Sequence, residues 1–462
     1  MSTPEGRLRA AVIGSGPAGF YTADRLLKKS PGVAVDMFDL LPTPHGLVRH
    51  GVAPDHQKIK SVSRIYDKIA ESPDFRFFGF VEFGKDLFLE DLKSRYHQIV
   101  FATGAQTDKR IAIPGEDMPG SHTATEFVAW YNGHPYKSDL DFDMSRERAV
   151  IIGIGNVAVD VARILCLSPE ELAKTDMADY AVEKLSRSNI REVFMVGRRG
   201  PAQAAFTNPE LKELCNLEQA DALTRPEETE LDDLTLEFLE NNPSAATRKK
   251  IEILKSLSGA ATGKKKKLHI RFLLSPAGIN DGADGRVCSV TFEKNKLAAS
   301  DDGSIRAVSG GGTETLEAGI VFRSIGYRGV ALRDVPFDEK AGVIPNSAGR
   351  VLDKPGGRAQ TGLYTAGWIK RGASGVIGTN KTDSAETVDS MLEDFAAGSH
   401  LRPDKPEEFI TKLLERRKPE HVSYREWKKI DEEEKETGKS RGRPRVKYTS
   451  VDEILKSLGK KP

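Results

Sequence analysis

The chain has 462 residues, of which 38% are hydrophobic, and a formal net charge of +1. This length suits two or three domains, and the balanced charge gives no reason to expect a nucleic-acid or membrane-surface partner. No apolar run approaches the roughly 20 residues that span a bilayer, and the first strand is expected too close to Met1 for a signal peptide. Three widely spaced cysteines argue against a disulfide framework or a cysteine-ligated cluster and favour a reducing cytoplasm.

A glycine-rich turn lies near the N-terminus, in LRAAVIGSGPAGFYTADRLLKK (8–29). Gly14, Gly16 and Gly19 form G-x-G-x-x-G between a predicted buried strand and a predicted helix, the arrangement that holds a dinucleotide pyrophosphate. The next predicted strand, VAVDMFD, ends at Asp39, where an acid is placed to accept a hydrogen bond from a ribose hydroxyl. The sequence therefore predicts a dinucleotide site at this turn.

A second strand, turn and helix follow in ERAVIIGIGNVAVDVARIL (147–165). The pattern is G-x-G-x-x-A, formed by Gly153, Gly155 and Ala158. The strand after it, REVFMVG, is followed by Arg198 and Arg199 and by no acid. Guanidinium groups match a 2′-phosphate, which a carboxylate would repel, so this turn predicts NADP(H).

The long separation between this second turn and its arginines indicates an extra helical insertion over 168–190. Two dinucleotide folds in one chain suggest one bound flavin and one exchanging nicotinamide. Three further strand ends fit a flavin domain. QIVFATGA contains Thr103 and Gly104 at its end, and AGIVFRSIGYRG (318–329) repeats that pattern. TGLYTAGW runs into Gly367 and Trp368. The stretch GASGVIGTNKTDSAETV (372–388) then opens a helix whose N–H groups are expected at the flavin pyrimidine edge.

Three charged segments say less about function. Residues 221–250 are expected to be largely helical. The basic run GKKKKLHI (263–270) fits a solvated hairpin or loop, with electrostatic steering of an acidic partner as the alternative. Residues 401–462 are expected to form short surface helices packed on the flavin domain, or a partly disordered tail.

Several long motifs resemble adrenodoxin reductase and the bacterial ferredoxin–NADP reductases like it. They are GSGPAGFY, LPTPHGLVRHGVAPDHQKIK, GNVAVDVARIL, VGRRGPAQAAFT, FRSIGYRG, GWIKRGASGVIGT and the tail SYREWKKIDEEEKETGKSRGRPR. The resemblance implies an α/β fold of two Rossmann-like domains, with an NADP domain (109–329) inserted in a discontinuous FAD domain (1–108 and 330–462). It also implies a ferredoxin–NADP(+) reductase that passes a hydride from NADPH to FAD and then single electrons to an iron–sulfur protein.

The resemblance also assigns roles to individual residues. The FAD-contacting positions are Ala18, Asp39, Leu47, Trp368, Gly375, Val376 and Ile377, and the NADP-contacting positions are Ile154, Gly155, Asn156, Val157, Arg198, Arg199 and Glu210. Lys109 stands where some relatives have an NADP-binding arginine, and His56 with Glu213 matches a pair beside the nicotinamide. Asp39 replaces the glutamate of adrenodoxin reductase, and Ala373 replaces a proline, so the loop after Gly372 is expected to be more mobile.

The partner is expected to be a ferredoxin or a flavodoxin that docks near Lys370 and Arg371 on a monomeric enzyme. Two alternatives remain at this point. One is an NADPH diaphorase that reduces a quinone or another small molecule, and the other is a flavin-binding sensor that no longer turns over. No metal is expected.

Overall fold

The computed structural model describes residues 7–461, so residues 1–6 and 462 of the predicted FAD domain lie outside it. The strands are β1 (Arg9–Ile13), β2 (Ala34–Phe38), β3 (Phe75–Gly79), β4 (Gln98–Phe101), β5 (Thr107–Asp108), β6 (Ser121–Thr123), β7 (Arg148–Ile152), β8 (Glu192–Val196), β9 (Ala220–Thr224), β10 (Lys266–Arg271), β11 (Leu274–Asp281), β12 (Val287–Ala299), β13 (Ile305–Glu317), β14 (Ile320–Arg323), β15 (Tyr327–Arg328), β16 (Asn346–Ser347), β17 (Arg350–Leu352), β18 (Ala359–Thr365) and β19 (Val422–Ser423). The helices are α1 (Pro17–Lys29), α2 (Leu47–His50), α3 (Gln57–Lys60), α4 (Ser63–Ala70), α5 (Leu89–Arg95), α6 (Ala124–Tyr131), α7 (Asn156–Cys166), α8 (Pro169–Leu172), α9 (Asp179–Ser186), α10 (Asn208–Cys215), α11 (Pro226–Thr229), α12 (Asp233–Asn241), α13 (Ala245–Ser256), α14 (Trp368–Arg371), α15 (Thr379–Ala396), α16 (Phe409–Arg417), α17 (Tyr424–Ser440) and α18 (Val451–Ser457).

The chain divides into two compact units. The first unit contains the described residues up to Thr107, the short segment Asn132–Tyr136 and everything from Gly326 onward, and the second unit contains the rest. The segment Asn132–Tyr136 belongs to the first unit because Lys447 donates to the Asn132 carbonyl at 3.1 Å. The sequence pattern does not predict that this short segment belongs to the first unit.

The first unit is built on an eight-stranded sheet with the order β16-β17-β18-β4-β1-β2-β3-β19. Its central strands are parallel, and Ile13 at the end of β1 is in register with Phe38 of β2 and Phe101 of β4. Both faces of these strands are covered, so β1 is apolar throughout from Ala10 to Ile13. The register brings the carboxyl ends of β1, β2, β4 and β18 to one edge, which positions the first glycine turn.

The second unit contains a six-stranded parallel sheet with the order β6-β14-β7-β8-β10-β9. Ile152 at the end of β7 is in register with Val196 of β8 and Arg323 of β14. These three strand ends therefore surround the second glycine turn. A three-stranded antiparallel sheet, β11-β12-β13, accompanies it. Two parallel sheets with helical crossovers confirm the predicted class of two Rossmann-like folds.

Most of the coarse predictions between the motifs agree with the structure. The insertion expected over 168–190 contains α8 and α9, and the stretch 221–250 contains the end of β9, then α11, α12 and the start of α13 with short connections between them. The prediction for the C-terminal segment is only partly right. Helix α17 has 17 residues, and its Trp427 is 1% exposed, so this helix is part of the packed core rather than a surface addition. No helix within residues 7–461 is long and apolar enough to cross a membrane.

Candidate functional site

The three glycines of the first turn serve different purposes. Gly14 has a φ of +106°, and a Cβ there would lie 2.5 Å from the Ala102 carbonyl oxygen. A Cβ on Gly19 would lie 2.0 Å from the Gly14 oxygen, so only glycine lets α1 approach the turn this closely. A Cβ on Gly16 would meet nothing within 4 Å. Packing inside the protein therefore does not explain the glycine at this position.

Gly16 is also the residue that caps the N-terminus of α1. No side chain caps this helix, and Pro17 occupies its first turn. The first N–H groups of a helix lack intrahelical partners and attract anions, more so where no side chain satisfies them. Open space beside Gly16 and an uncapped helix N-terminus together fit the pyrophosphate of a dinucleotide such as FAD.

Asp39 is bonded to the same turn. Its Oδ2 accepts hydrogen bonds from the backbone N of Ser15 at 2.8 Å and from the Ser15 hydroxyl at 2.5 Å, and its Oδ1 accepts one from Leu41 N at 2.9 Å. Burial raises the pKa of Asp39, and the hydrogen bonds from Ser15 and Leu41 oppose that rise. Since a carboxylate offers about four acceptor positions, Asp39 retains the capacity to accept from a ribose hydroxyl. The glycine pattern did not reveal the contribution of Ser15.

The 43–50 loop lies against the first glycine turn. His45 has a φ of 84° and donates from its backbone N to the Ser15 oxygen at 3.0 Å. A Cβ on Gly46 would lie 3.0 Å from the Cα of Gly16. This close approach fixes the position of the short helix α2, which begins with the predicted FAD contact.

Helix α17 holds this loop from its other side. Arg49 donates two hydrogen bonds to Glu434, the one from Nη1 at 2.8 Å, and its guanidinium lies 4.9 Å from the Trp427 ring centroid. The Trp427 ring also contacts that of His45, at 5.8 Å between centroids. Burial raises the pKa of Glu434, but Arg49 and Arg445 bring it below its ordinary value. Sequence reasoning missed this brace, because its partners are far apart in the chain.

Two further strand ends lie at the same edge of the first sheet. Gly104, after β4, has a φ of +73°, and a Cβ there would meet nothing within 4 Å. Thr103 before it is half-buried. Gly367, after β18, donates from its backbone N to Asp383, and a Cβ on it would lie 2.5 Å from the Cβ of Ala18. The register therefore brings these predicted residues to the edge that carries the glycine turn.

The loop after α14 is closed by hydrogen bonds to one residue. The carbonyl oxygen of Ser374 accepts from Trp368 Nε1 at 3.0 Å and from the Arg371 guanidinium. These bonds tie the loop together where Ala373 lacks the ring of a proline. The side chain of Val376 is 57% exposed. The predicted FAD contacts of this loop are Gly375, Val376 and Ile377.

The docking predicted near Lys370 and Arg371 stays a prediction, but Lys370 does not offer a free charge for it. Its side chain is 6% exposed and pairs with Asp383 at 3.1 Å and Glu386 at 2.6 Å, because α14 packs on α15. Arg371 is largely engaged as well, since it donates to Asn380 Oδ1 at 3.1 Å. Lys370 therefore presents no charge to an acidic partner, and both side chains organise the loop instead.

The second glycine turn repeats the geometry of the first. Gly153 has a φ of +135°, and a Cβ there would lie 2.1 Å from the Ser324 oxygen. Gly155 caps α7 without a side-chain hydrogen bond, and a Cβ on it would meet nothing within 4 Å. Ala158 is fully buried and Val157 packs against the same core. This turn therefore also offers an open, uncapped helix N-terminus.

The segment that follows the arginines folds back onto this turn. The Ile154 carbonyl oxygen accepts from Ala205 N at 3.1 Å and from Phe206 N at 3.2 Å. The Asn156 Oδ1 accepts from Thr207 N at 2.9 Å. Two of the predicted NADP contacts therefore also shape the turn itself.

Arg198 and Arg199 follow β8 at the carboxyl edge of the second sheet. Arg198 is exposed and Arg199 half-buried, and within residues 7–461 neither forms an ion pair. The Arg198 carbonyl accepts from Asn295 Nδ2 at 2.7 Å, which fixes the backbone of the pair. Burial and the neighbouring Arg198 lower the pKa of Arg199, so the pair repels itself and favours an anionic partner.

The remaining predicted residues are divided between the two units. Glu210 and Glu213 share the buried guanidinium of Arg163, at 3.5 Å and 3.0 Å. Lys109 is exposed in the second unit. His56 is in the first unit, where it caps α3.

Comparison with known proteins identifies the family. Residues 8–196 match the family model described as pyridine nucleotide-disulphide oxidoreductase. The chain is 44% identical to the NADPH-ferredoxin reductase FprA of Mycobacterium leprae, over 96% of this chain and 97% of that protein. It is 40% identical to the mitochondrial NADPH:adrenodoxin oxidoreductase of Arabidopsis thaliana, over 97% and 95% of the two chains.

The chain belongs to the NADPH-ferredoxin reductase family. A solved structure of one such reductase, FprA of Mycobacterium tuberculosis in complex with NADPH, matches it with a TM-score of 0.92 and 42% sequence identity. That match covers 98% of this chain and 99% of the other. The predicted resemblance and the predicted fold are therefore confirmed, whereas the roles of individual site residues stay predictions.

Proposed function

We propose that the chain is an FAD-dependent NADPH:ferredoxin oxidoreductase. It takes a hydride from NADPH and delivers single electrons to an iron–sulfur protein. This proposal depends on one observation. The chain has two similar glycine turns, but the strand that follows each turn ends in residues of opposite charge. Asp39 completes the first turn, and Arg198 with Arg199 completes the second. The family to which the chain belongs supports the same conclusion.

The first turn fits FAD as a resident cofactor. Gly16 leaves space for the pyrophosphate at the N-terminus of α1, and Asp39 accepts from the ribose. Thr103, Gly104 and Gly367 would border the isoalloxazine at the same strand edge. Bound FAD supplies the conversion between two-electron and one-electron transfer. The protein contributes binding and orientation.

The second turn fits NADP(H) as the exchanging nucleotide. Gly155 leaves the same space for a pyrophosphate, and the N-terminus of α7 attracts it. Arg198 and Arg199 would bind the 2′-phosphate through charge-assisted hydrogen bonds. Lys109, an exposed cation, would add charge without the fork of a guanidinium. An open site with exposed charges suits a nucleotide that must leave after each turnover.

We assign His56 and Glu213 to positioning near the nicotinamide rather than to proton transfer. Hydride transfer depends chiefly on the distance and alignment of the reacting groups. Glu213 is anchored by Arg163, which also binds Asp160 at 2.8 Å on α7, the helix that begins at the second turn. A carboxylate fixed in this way orients its neighbours.

The partner is a ferredoxin or a flavodoxin, and the enzyme acts as a monomer. We expect it to work in the cytoplasm, where free cysteines stay reduced. In this proposal residues 1–108 and 330–462 form the FAD domain and residues 109–329 the NADP domain.

Anaerobic rapid mixing tests this function. The enzyme reduced by NADPH would be mixed with an oxidised ferredoxin, a flavodoxin and a quinone in separate experiments. We expect one-electron reduction of the ferredoxin to outpace reduction of the quinone by far. Prompt flavin reduction with only the quinone accepting electrons would make the protein a diaphorase. Flavin that NADPH does not reduce would indicate a sensor without turnover.

A further inference from the structure

Exposed apolar side chains concentrate close to the 43–50 loop. Eight large hydrophobic residues are exposed among residues 7–461, and four of them, Leu40, Leu47, Ile59 and Ile65, lie within residues 40–65. Ile59 and Ile65, on the consecutive helices α3 and α4, are 42% and 50% exposed. Exposed hydrophobic residues gathered in one region mark interaction surfaces more often than scattered ones do.

Three cations lie next to these two isoleucines in the sequence or one helical turn away. Lys58, Arg64 and Lys68 are all exposed, and within residues 7–461 none of them forms an ion pair. On α4 the residues at positions 64, 65 and 68 share one side at helical spacing, whereas Tyr66 and Ile69 face the core. The exposed residues of α3 and α4 thus include two isoleucines and three cations, and we call this exposed surface of the two helices the α3–α4 face.

The carboxylate of this segment is directed away from the α3–α4 face. Asp67 is the one acid in residues 57–70. It accepts hydrogen bonds from the Tyr424 hydroxyl at 2.5 Å and from Lys428 Nζ at 3.2 Å, both on α17. Helix α17 therefore supplies the partners of Asp67, and Lys58, Arg64 and Lys68 are not among them.

We infer that the α3–α4 face is where the electron-accepting protein docks, and that this partner is an acidic iron–sulfur protein. The inference rests on the proposed function. An apolar centre with a charged rim is the usual anatomy of a protein interface, and cations without partners complement an acidic surface. The ring of Tyr66 on α4 lies 5.6 Å from that of His45 between centroids, and His45 donates to Ser15 of the first glycine turn, so the element that carries the face contacts the loop at the predicted FAD site. The face is an alternative to the docking predicted near Lys370 and Arg371.

Charge reversal tests the inference. The variant Lys58→Glu/Arg64→Glu/Lys68→Glu would be compared with Lys412→Glu/Arg416→Glu/Lys456→Glu, which reverses three exposed cations elsewhere in the first unit that form no ion pair with any described residue. Both variants change the formal net charge from +1 to −5, because each of the three reversals lowers it by two. The probe is an acidic [2Fe–2S] ferredoxin, mixed with NADPH-reduced enzyme over a range of salt concentrations.

We expect the first variant to slow ferredoxin reduction about tenfold to a hundredfold at low salt and to lose the salt dependence. The control should change it about twofold at most. A third variant, Ile65→Ser, should slow the reaction about fivefold while its salt dependence remains, because it removes apolar contact and no charge. Menadione reduction by NADPH should be unchanged in all three variants, since it requires no docking.

An equal loss in both triple variants, or no loss in the first, would overturn the inference. Loss of binding to phosphatidylglycerol vesicles with unchanged ferredoxin reduction would also overturn it, because the face would then be a membrane contact. If NADPH reduces the flavin of the unmodified enzyme but no ferredoxin accepts electrons, the proposed function fails together with this surface. Normal ferredoxin reduction that ignores the α3–α4 variants refutes the surface alone.

Discussion

The two glycine turns have nearly the same backbone but are completed in different ways. The first turn is held by contacts within the protein. Asp39 accepts hydrogen bonds from Ser15, and α17 binds the 43–50 loop, which lies against the turn. The second ends in two arginines without acidic partners within residues 7–461. One site is therefore built to retain its ligand, and the other presents open charge to a ligand that comes and goes. The glycine turn alone therefore does not determine which nucleotide is bound. The residues at the end of the following strand do.

Alanine at Gly16 should affect only FAD retention as the primary defect, and alanine at Gly155 only NADPH binding. A methyl group on Gly16 or on Gly155 would meet no protein atom within 4 Å, so neither substitution should destabilise the protein without ligand. Gly16→Ala should abolish FAD retention during purification because the methyl group occupies the space for the pyrophosphate. Gly155→Ala should keep FAD and raise the KM for NADPH at least tenfold. Each variant controls for the other, and FAD retained in Gly16→Ala would place the cofactor elsewhere.

Breaking the buried ion pair behind the first site should be the next largest effect. Glu434→Gln leaves the Arg49 charge buried without compensation, which costs about 3–5 kcal/mol of unfolding free energy. FAD should be released at lower denaturant concentration. The control is Glu228→Gln in the second unit, which removes one of the two carboxylates that pair with the buried Arg271, at 2.6 Å, and leaves Glu314 at 2.9 Å. The control should lose less stability and release FAD only when the first unit unfolds, and equal FAD loss in both variants would contradict the brace.

Acid should loosen the first site through His45. Burial lowers the pKa of His45 to about 3, so it is neutral when folded, whereas the unfolded chain protonates it below about 6.5. Its contribution to stability is complete above pH 6.5 and is lost as the pH falls toward 3, by about 2 kcal/mol at pH 5. FAD fluorescence against pH should show release in this range and a flatter profile for His45→Asn. Identical profiles would exclude His45 as the cause.

The smallest effect concerns the backbone that carries the arginine pair. Asn295→Ala removes the hydrogen bond to the Arg198 carbonyl, at a cost of about 1 kcal/mol, or roughly fivefold in the KM for NADPH. The control is Asn280→Ala in the same antiparallel sheet, where the amide bonds to Ser289 at 3.0 Å and Thr291 at 2.9 Å instead. Steady-state kinetics with both nucleotides would measure the difference. A similar KM in the two variants would show that Asn295 does not position the pair.

Local patterns in the sequence were sufficient to predict both turns and the residues that distinguish them. Gly14 and Gly153 can be predicted because a positive φ against a neighbouring carbonyl demands glycine within a few residues of a recognisable strand. The arginines can be predicted because they directly follow such a strand. In both cases the chemistry depends on short-range spacing.

The rest depends on contacts between distant parts of the chain. Arg49 and Glu434 are 385 residues apart in the sequence, and no sequence periodicity predicts that they pair. The burial of Lys370 could not be predicted for a related reason, since the sequence does not show that α15 places acids beside it. The direction in which a basic side chain points is a property of packing, which only the structure gives.

The central claim is that the first site holds FAD while the second selects NADPH by its 2′-phosphate. The most direct test is stopped-flow reduction of the bound flavin by NADPH and by NADH, in the unmodified enzyme and in Arg198→Ala/Arg199→Ala. Each lost charge-assisted contact is worth about 1.5–3 kcal/mol, roughly tenfold to a hundredfold in affinity, so the preference for NADPH should largely disappear while FAD content stays the same. An unchanged preference for NADPH in the double variant would contradict the account.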